Sequence, residues 1–505
     1  MKKFLMMSVL LLAMGSCGQI QNKPVEVSDE NTCGLEMSKM YSDAMILQRD
    51  VPLKIKGKAS PGEVVTVKLE GQSRNIRKRA RADSEGVWQV TVSPLKAAEG
   101  LTLTITGRDK VLTYNDVAVG DIWVCSGQSN MFFRVFEGVE VGPTPADSGL
   151  RLYNMVPKCY VNPERWSDAD IESTQKLDFY HPTTWQPCDG ENMKPFSAVG
   201  YHFGKMLRDS LNVPIGLICN AIGGSPAEAW VDRASLEEGF PEALEDWFDN
   251  KIFNQWCKEM GMINLGYPET GATRHPYEPT YLFDAAIGSM EQFQIKGVVW
   301  YQGESNDFNI PMHEKLFNLL VNGWRRHFDN PVMPFHFVQL SSYAPGLTWA
   351  EFRDSQRKLA EAIPYCEMAV SSDLGDSLDI HPRMKRPVGE RLARQALRHD
   401  YGFDVVPSGP LFREASIIDT SVVLTFDFAE GLKSSDSQPL KCFEVAADDM
   451  VFIPAEAVIL DGKVVIMSKI DNPSYVRYAW QPFTRANLVN GEGLPASTFM
   501  AKVSK

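Results

Sequence analysis

A chain of 505 residues is long enough for about three domains at roughly 100 to 200 residues each. Its formal charge of −13 and pI near 5.3 exclude the usual nucleic-acid binder, which needs a basic surface to displace phosphate counterions. Acidity of this size otherwise serves solubility.

Residues 1–17 carry two lysines, an apolar run, and the small pair Gly15-Ser16 before Cys17. The apolar part is too short to cross a bilayer, so it reads as an export signal. Its end has the form of a bacterial lipoprotein signal, with cleavage before Cys17 and lipid attachment to it; a plain secretory peptide is the alternative. That anchor would be the one membrane contact. A polar tether follows at 18–40. Gly18-Gln-Ile-Gln-Asn22 holds no acidic cluster, which favours a periplasm-facing anchor over the cell surface or secretion. Eight further cysteines remain. Cys159 and Cys188, in Pro-rich loop-like sequence, are the first candidates for a disulfide in an exported chain. Cys125, Cys219 and Cys366 lie in apolar runs and read as buried thiols. No CxxC or HExxH pattern occurs, so no metal is expected.

From 41 to 113, short alternating runs such as Val64-Val-Thr-Val-Lys-Leu69 and Val87-Trp-Gln-Val-Thr-Val92 are separated by Ser60-Pro-Gly62, Ser84-Glu-Gly86 and Glu99-Gly100. This predicts an N-terminal β-rich domain of sandwich type. Between 114 and 403 the pattern becomes α/β. Apolar runs at 121–125, 213–220, 295–300, 332–340 and 366–371 fit buried parallel strands. Helix-period segments, among them 197–211, 313–328 and 384–397, intervene, as in a doubly wound sheet. Two long connections, about 135–195 and 225–280, are rich in Pro, Trp, Tyr and acidic residues. Connections of that length usually carry function. Their aromatic residues Trp166, Trp185, Trp230, Trp247 and Trp256 either stack on sugar rings or bury local surface. From 404 to 505 β-like runs return as a C-terminal β-rich module that either stands alone or packs with the N-terminal one.

Four of the apolar runs lead into polar motifs: Ser129, Gly223-Gly224-Ser225, Gln302-Gly303-Glu304-Ser305-Asn306, and Asp379-Ile-His381. In an open α/β sheet the strand carboxyl ends share one edge, so these motifs converge. The stretch Gly120-Asp-Ile-Trp-Val-Cys-Ser-Gly-Gln-Ser129-Asn-Met131 reads as a strand, a tight turn and a helix start, where a nucleophilic hydroxyl would face free backbone N–H groups. Ser-Gly-Gln-Ser is also ordinary turn chemistry. Acyl transfer from a serine needs a base, a group that orients it, and oxyanion donors. Of eight histidines, His381 alone combines a nearby acidic run, Pro382 and a following helix, which makes it the candidate base. Asp379 is placed to accept from its ring; Asp376 and Asp373 compete, or the three wrap a hard cation. Oxyanion donors would come from the Ser129 N–H, Gly223 and the amide of Gln302, with Glu304 orienting Gln302 or its loop.

These residues resemble a known family. Gly-Gln-Ser129-Asn-Met, Asn220-Ala-Ile-Gly-Gly-Ser-Pro-Ala-Glu-Ala-Trp230, Trp300-Tyr-Gln-Gly-Glu-Ser-Asn306 and Asp379-Ile-His381-Pro382 are similar to the motifs of the sialate O-acetylesterase group of SGNH hydrolases. The resemblance runs from about residue 42 to 500 and takes in Phe196-Ser-Ala-Val-Gly-Tyr-His-Phe-Gly204 and Val476-Arg-Tyr-Ala-Trp480. It implies a three-layer αβα, flavodoxin-like catalytic domain and a metal-free, cofactor-free serine esterase that removes O-acetyl groups from carbohydrates. It implies Ser129 as nucleophile, His381 as base, and an oxyanion hole from Ser129, a glycine of the Gly223-Gly224 pair and Gln302, with Glu304 and Asn306 behind them. The wider superfamily often spaces its acid three residues before the histidine, where this chain has Leu378; Asp379 is then the acid, or a Ser-His dyad acts alone. The resemblance leaves the sugar open between sialate and acetylated xylo-oligosaccharides or other plant glycans. A catalytically inactive glycan-binding lipoprotein is the competing class.

Overall fold

The computed structural model describes residues 34–71, 74–139, 146–290 and 293–504. The expected leader with Cys17, the tether up to residue 33 and Cys33 lie outside the described residues.

The N-terminal strands Ile46–Gln48, Val64–Gly71, Arg74–Arg81 and Ala98–Thr106 join one sheet, and Leu53–Lys58 pairs with Val87–Val92 in a second. Alternation in Val87–Val92 buries every other side chain, as the period of two requires. The next strand, β1 (Val111–Gly127), belongs to two sheets. Its first half pairs antiparallel with Ala98–Thr106, and its second half lies at the centre of a parallel sheet. Burial follows: alternating exposure up to Asp116, then unbroken burial from Val117 to Gly127, the pattern of a strand covered on both faces. One strand therefore runs through residues 113 and 114, where the composition changes.

The parallel sheet continues with β2 (Asp147–Asn154), β3 (Gln186–Cys188), β4 (Ile215–Ala221), β5 (Gly297–Tyr301), β6 (Phe335–Val338) and β7 (Cys366–Ala369). The order is β7-β6-β5-β1-β4-β2-β3, parallel throughout except for the edge strand β3. β2 falls inside a segment that reads as a loop. Its Arg151 breaks the apolar run, yet it is 1% exposed because its guanidinium bonds the backbone carbonyls of Ser148 and Asp116.

Helices cover both faces. α1 (Ser129–Phe132) follows β1 directly. α2 (Ala198–Leu211) is capped by Ser197, whose hydroxyl accepts from the Gly200 N–H. α3 (Ile310–His327) starts on Asn309 with Pro311 in its first turn. α4 (Trp349–Ala362) and α5 (Arg386–His399) follow, and shorter helices such as Asp168–Gln175 and Gln255–Leu265 lie in the long connections. Phe203, Leu207, Leu392 and Ala396 of α2 and α5 bury one face with Cys125, Leu217 and Val299. Leu316, Leu320, Trp324 and Leu359 of α3 and α4 bury the other with Val124, Val298 and Phe335.

The expected Cys159–Cys188 disulfide is not formed; both thiols are free and buried. Cys188 belongs to the apolar cluster on the α2 side and Cys159 to the cluster on the opposite side, so the pair cannot reach bonding geometry.

The C-terminal strands form two four-stranded sheets and a two-stranded one, Lys433–Ser434 with Leu488–Val489, around their own core, and dock on α4. Arg353 of α4 is fully buried there. Its guanidinium donates to the carbonyls of Ala479, Gln481 and Pro482 and to Thr498 Oγ1, at 2.6 to 3.0 Å. Arg353→Met would leave the Gln481 carbonyl without its donor, while Ala479 and Pro482 would keep only Thr498 Oγ1 and the Tyr343 N–H, and we expect it to weaken this contact by about 3 kcal/mol. Urea unfolding followed by limited proteolysis checks this: the 404–504 segment should be released at lower denaturant than in wild type.

Candidate active site

The chain passes from β1 to strands on one side, then crosses to β5 on the other, which makes the carboxyl end of β1 a topological switch point. Gly127 ends β1 at φ +133, and a Cβ there would sit 2.2 Å from the Tyr301 carbonyl oxygen. Only glycine makes this turn. Gln128 then occupies the N-cap position without capping. Its Oε1 instead accepts from the Gly303 and Ser305 N–H groups, both at 3.3 Å, tying the loop after β5 to the loop after β1. Ser129 is the first helical residue, so its own N–H has no acceptor within α1.

His381, carried by the loop after β7, places Nε2 2.8 Å from Ser129 Oγ. These residues stand 252 positions apart in sequence. With the hydroxyl donating to Nε2, the ring proton sits on Nδ1. Burial, reinforced by Lys385, pulls the imidazole below its ordinary pKa, while Asp379 and Glu137 oppose the shift. A base of this kind stays neutral at lower pH than an exposed histidine.

Asp379 lies beside the ring without bonding to it. Its Oδ1 accepts from the His381 backbone N–H at 2.8 Å and stands 3.8 Å from Nδ1, beyond hydrogen-bond range. Asp376 accepts from the Leu378 and Asp379 N–H groups, and Asp373 is gripped by Arg391. The three carboxylates therefore face different partners and share no common centre.

Gly223 and Gly224 follow β4. A Cβ on Gly223 would lie 3.9 Å from that of Ser129, so this backbone runs alongside the serine. Gly224 has φ +70, and a Cβ would fall 2.3 Å from the Tyr277 hydroxyl, which donates to the Gly223 carbonyl at 2.6 Å. Ser305 Oγ donates to the Gly224 carbonyl at 2.9 Å. Both carbonyls are thereby occupied, and among the described residues the Gly223 N–H has no backbone acceptor.

Gln302 departs from the sequence expectation. It does not line the cavity around Ser129; its Nε2 donates to Asn306 Oδ1 at 2.6 Å and lies 3.5 Å from the Ser225 carbonyl. Asn306 in turn accepts from the Ala227 N–H and donates to the buried Glu228. Gln302 and Asn306 thus brace the loop after β4, and the amide is not a direct donor to the site. Glu304 does not orient Gln302 either. It accepts from Asn130 Nδ2 at 2.5 Å.

Asn130 and Lys385 carry no signal in the sequence beyond their neighbours Ser129 and His381. Asn130 Nδ2 also donates to the carbonyl of Ile380, and Lys385 Nζ donates to Asn130 Oδ1. The residue after the serine is thereby tied to the residue before the histidine. Burial pulls the Lys385 ammonium down to about 7 and raises Glu304, each partly offset by the other's charge or by Asn130.

A cavity of about 540 Å³ opens over Ser129 and His381. Its walls come from the two long connections: Pro157 to Val161 on one side, Asn254, Trp256 and Tyr277 on the other. Of the five loop tryptophans, Trp166, Trp185, Trp230 and Trp247 are buried, and Trp256 is 47% exposed.

A serine hydroxyl bonded to an imidazole at the switch point of a parallel sheet is the constellation of a serine esterase. The family model described as carbohydrate esterase, sialic acid-specific acetylesterase, matches residues 119–398, more than half of the chain, and the chain belongs to that family. It is an esterase. It is 28% identical over 531 residues to a mouse sialate O-acetylesterase, covering 95% of this chain and 96% of that protein. Human sialate O-acetylesterase is 28% identical over 453 residues, 82% of this chain and 80% of the relative. The structure of a carbohydrate acetylesterase from Xanthomonas citri superposes with a TM-score of 0.77 and 31% identity, covering 92% of this chain and 99% of that one.

Proposed function

We propose that this chain releases acetate from O-acetylated carbohydrates through an acyl-enzyme on Ser129. The observation that carries the reading is the 2.8 Å contact between Ser129 Oγ and His381 Nε2 at the floor of the cavity. Ser129 Oγ attacks the acetyl carbonyl as its proton passes to His381 Nε2. The oxyanion of the tetrahedral intermediate faces the N–H groups of Ser129 and Gly223. His381 returns the proton to the sugar oxygen as the ester C–O bond breaks. A water, deprotonated by His381, then attacks the acetyl-serine and frees acetate. The switch-point site and the helices on both sheet faces support an SGNH-type, three-layer αβα reading of the catalytic unit.

The names of the mammalian relatives and the notion of a plant-glycan esterase leave two sugars to distinguish, O-acetylated sialic acid and acetylated xylo-oligosaccharide. Acetate release from both by purified protein lacking residues 1–17 tests the reading. Sugar binding with no turnover of any acetyl ester would instead identify a glycan-binding lipoprotein. The Cys17 anchor and a periplasm-facing location rest on the form of residues 1–17 and on the absence of acidic residues at 18–22; among the described residues no helix is long and apolar enough to cross a membrane.

Asp379 supports His381 through the backbone, not through the ring, so Asp379→Asn should lower kcat by roughly 10-fold or less, far short of the about 10⁴-fold loss for a true triad aspartate. The lost carboxylate had been raising the His381 pKa, so the acid limb of kcat/KM should move to lower pH. A loss of thousands-fold would mean that Asp379 turns to the ring during catalysis.

A further inference from the structure

Charge is unevenly placed on this chain. Residues 41–113 hold 13 Lys and Arg against 8 Asp and Glu, a net of +5 in a protein whose total is −13. The excess gathers on one strand, Arg74–Arg81, which reads Arg-Asn-Ile-Arg-Lys-Arg-Ala-Arg. That strand is at the edge of its sheet and pairs with Val64–Gly71 alone.

Register decides where the cations point. Val65, Val67 and Leu69 are buried, so Thr66 and Lys68 take the outer face. Across the ladder Thr66 stands opposite Arg79 and Lys68 opposite Arg77, and both arginines are exposed. On the other side Thr66 meets Thr106 and Lys68 meets Thr104. The outer face is thus a row of cations beside a row of hydroxyls. The outward positions of Val64–Gly71 and Arg74–Arg81 hold one carboxylate, Glu70, which lies opposite Asn75. Among the described residues no carboxylate pairs with Lys68, Arg77 or Arg79, and Arg81 donates to the Gly62 carbonyl at 2.6 Å, which leaves its charge unbalanced.

Two cations directly opposite one another destabilise an antiparallel pair. Edge strands do carry Lys and Arg to keep other chains from pairing. That accounts for the arginines of Arg74–Arg81 but not for Lys68 on the strand inside them. A sheet that gives up stability to hold unpaired cations on an open face is suited to a partner that supplies the anions.

Position says which partner. Leu35 packs against Gly107, the residue after Thr106, so the chain joins its folded body beside this face. The sixteen residues 18–33, between there and the expected lipid on Cys17, reach at most about 55 Å. At the other end, β1 runs from Thr113 in this sheet to Gly127 at the catalytic turn, a rise of up to about 45 Å. A surface held by the basic face leaves the cavity over Ser129 at the far end of that strand, open to substrate.

We propose that the outer face of the N-terminal sheet, centred on Lys68, Arg77 and Arg79, docks on an anionic phospholipid surface. The cations meet headgroup phosphates, and the threonine hydroxyls donate to the same oxygens. This contact is separate from the lipid anchor expected at Cys17.

Vesicle flotation with purified protein lacking residues 1–17 tests the proposal, because no attached lipid can then carry the binding. At about 50 mM salt, vesicles of phosphatidylglycerol and phosphatidylcholine in equal parts should bind the protein about 10-fold or more tightly than phosphatidylcholine alone. The difference should vanish at about 0.5 M salt, where exposed charges are screened. Arg77→Gln combined with Arg79→Gln should weaken binding to the anionic vesicles by about 25-fold, at roughly 5-fold per charge removed. The double variant should melt no lower than wild type, since the repulsion between Lys68 and Arg77 is gone. Lys463→Glu, on an exposed hairpin of the C-terminal module, should change binding by less than about 2-fold. Equal binding to neutral vesicles would overturn the proposal, as would anionic binding that persists in the double variant. Retention on polygalacturonate with none on anionic vesicles would also overturn it and would make an acidic polysaccharide the partner.

Discussion

Ser129→Ala is expected to lower acetate release by on the order of 10⁴-fold or more, with the fold intact. In the proposed mechanism the hydroxyl is the attacking group, and among the described residues no other hydroxyl in the cavity lies in hydrogen-bond contact with His381. Structurally the change is mild. Among the described residues the side chain bonds only His381, and alanine suits the first turn of a helix, so stability should shift by about 1 kcal/mol or less. Residual release above the uncatalysed rate would come from the Ser129 and Gly223 N–H groups, which remain in place. Acetate assays on the variant, paired with circular dichroism, check both parts. Turnover within 10-fold of wild type would move the nucleophile elsewhere.

Lys385→Met is expected to lower kcat by roughly 10- to 100-fold and to move the acid limb of kcat/KM to higher pH. Lys385 touches no substrate and is a positioning residue. It donates to Asn130 Oδ1, Asn130 Nδ2 holds Glu304 and the Ile380 carbonyl, and the next residue is His381. Without the ammonium, Asn130 loses the partner that fixes its amide orientation, and Glu304 is left buried with less compensation. The direction of the pH effect follows from charge. In wild type, burial and the nearby cation both hold His381 below its ordinary pKa, so the neutral base persists into more acidic solution. Removing the cation leaves only burial, the imidazole pKa rises, and the base is protonated sooner as pH falls. A role confined to packing would lower kcat and leave the pH limb where it was, so the pH–rate profile separates the two.

Much of this molecule is legible before folding because its signals are local. The short apolar run at 121–125 marks a buried strand, and Gly127 marks the sharp turn that presents Ser129. Ser197 and Asn309 begin helices that the hydrophobic period already outlines. Even the meeting of Ser129 with His381, 252 residues away, follows from a topological rule, since parallel strands end on one edge.

Where the reading failed, the reason was a contact whose partner lies far off in sequence. β2 was hidden by Arg151, a charge that enters the core only because the Asp116 and Ser148 carbonyls receive it. The cysteine pair at 159 and 188 looked available until the sheet separated the two side chains. Gln302 had the right chemistry for an oxyanion donor, yet Asn306 claims its amide, and Glu304 serves Asn130 instead. The same limit applies to the loop tryptophans: composition marked five candidates, and only packing left Trp256 with a face open to a ligand. Residue type, turn chemistry and strand order are written along the chain and determine which groups reach the catalytic edge. The direction in which an amide, a carboxylate or a ring points depends on competition among partners that only tertiary packing brings within 3 Å of one another.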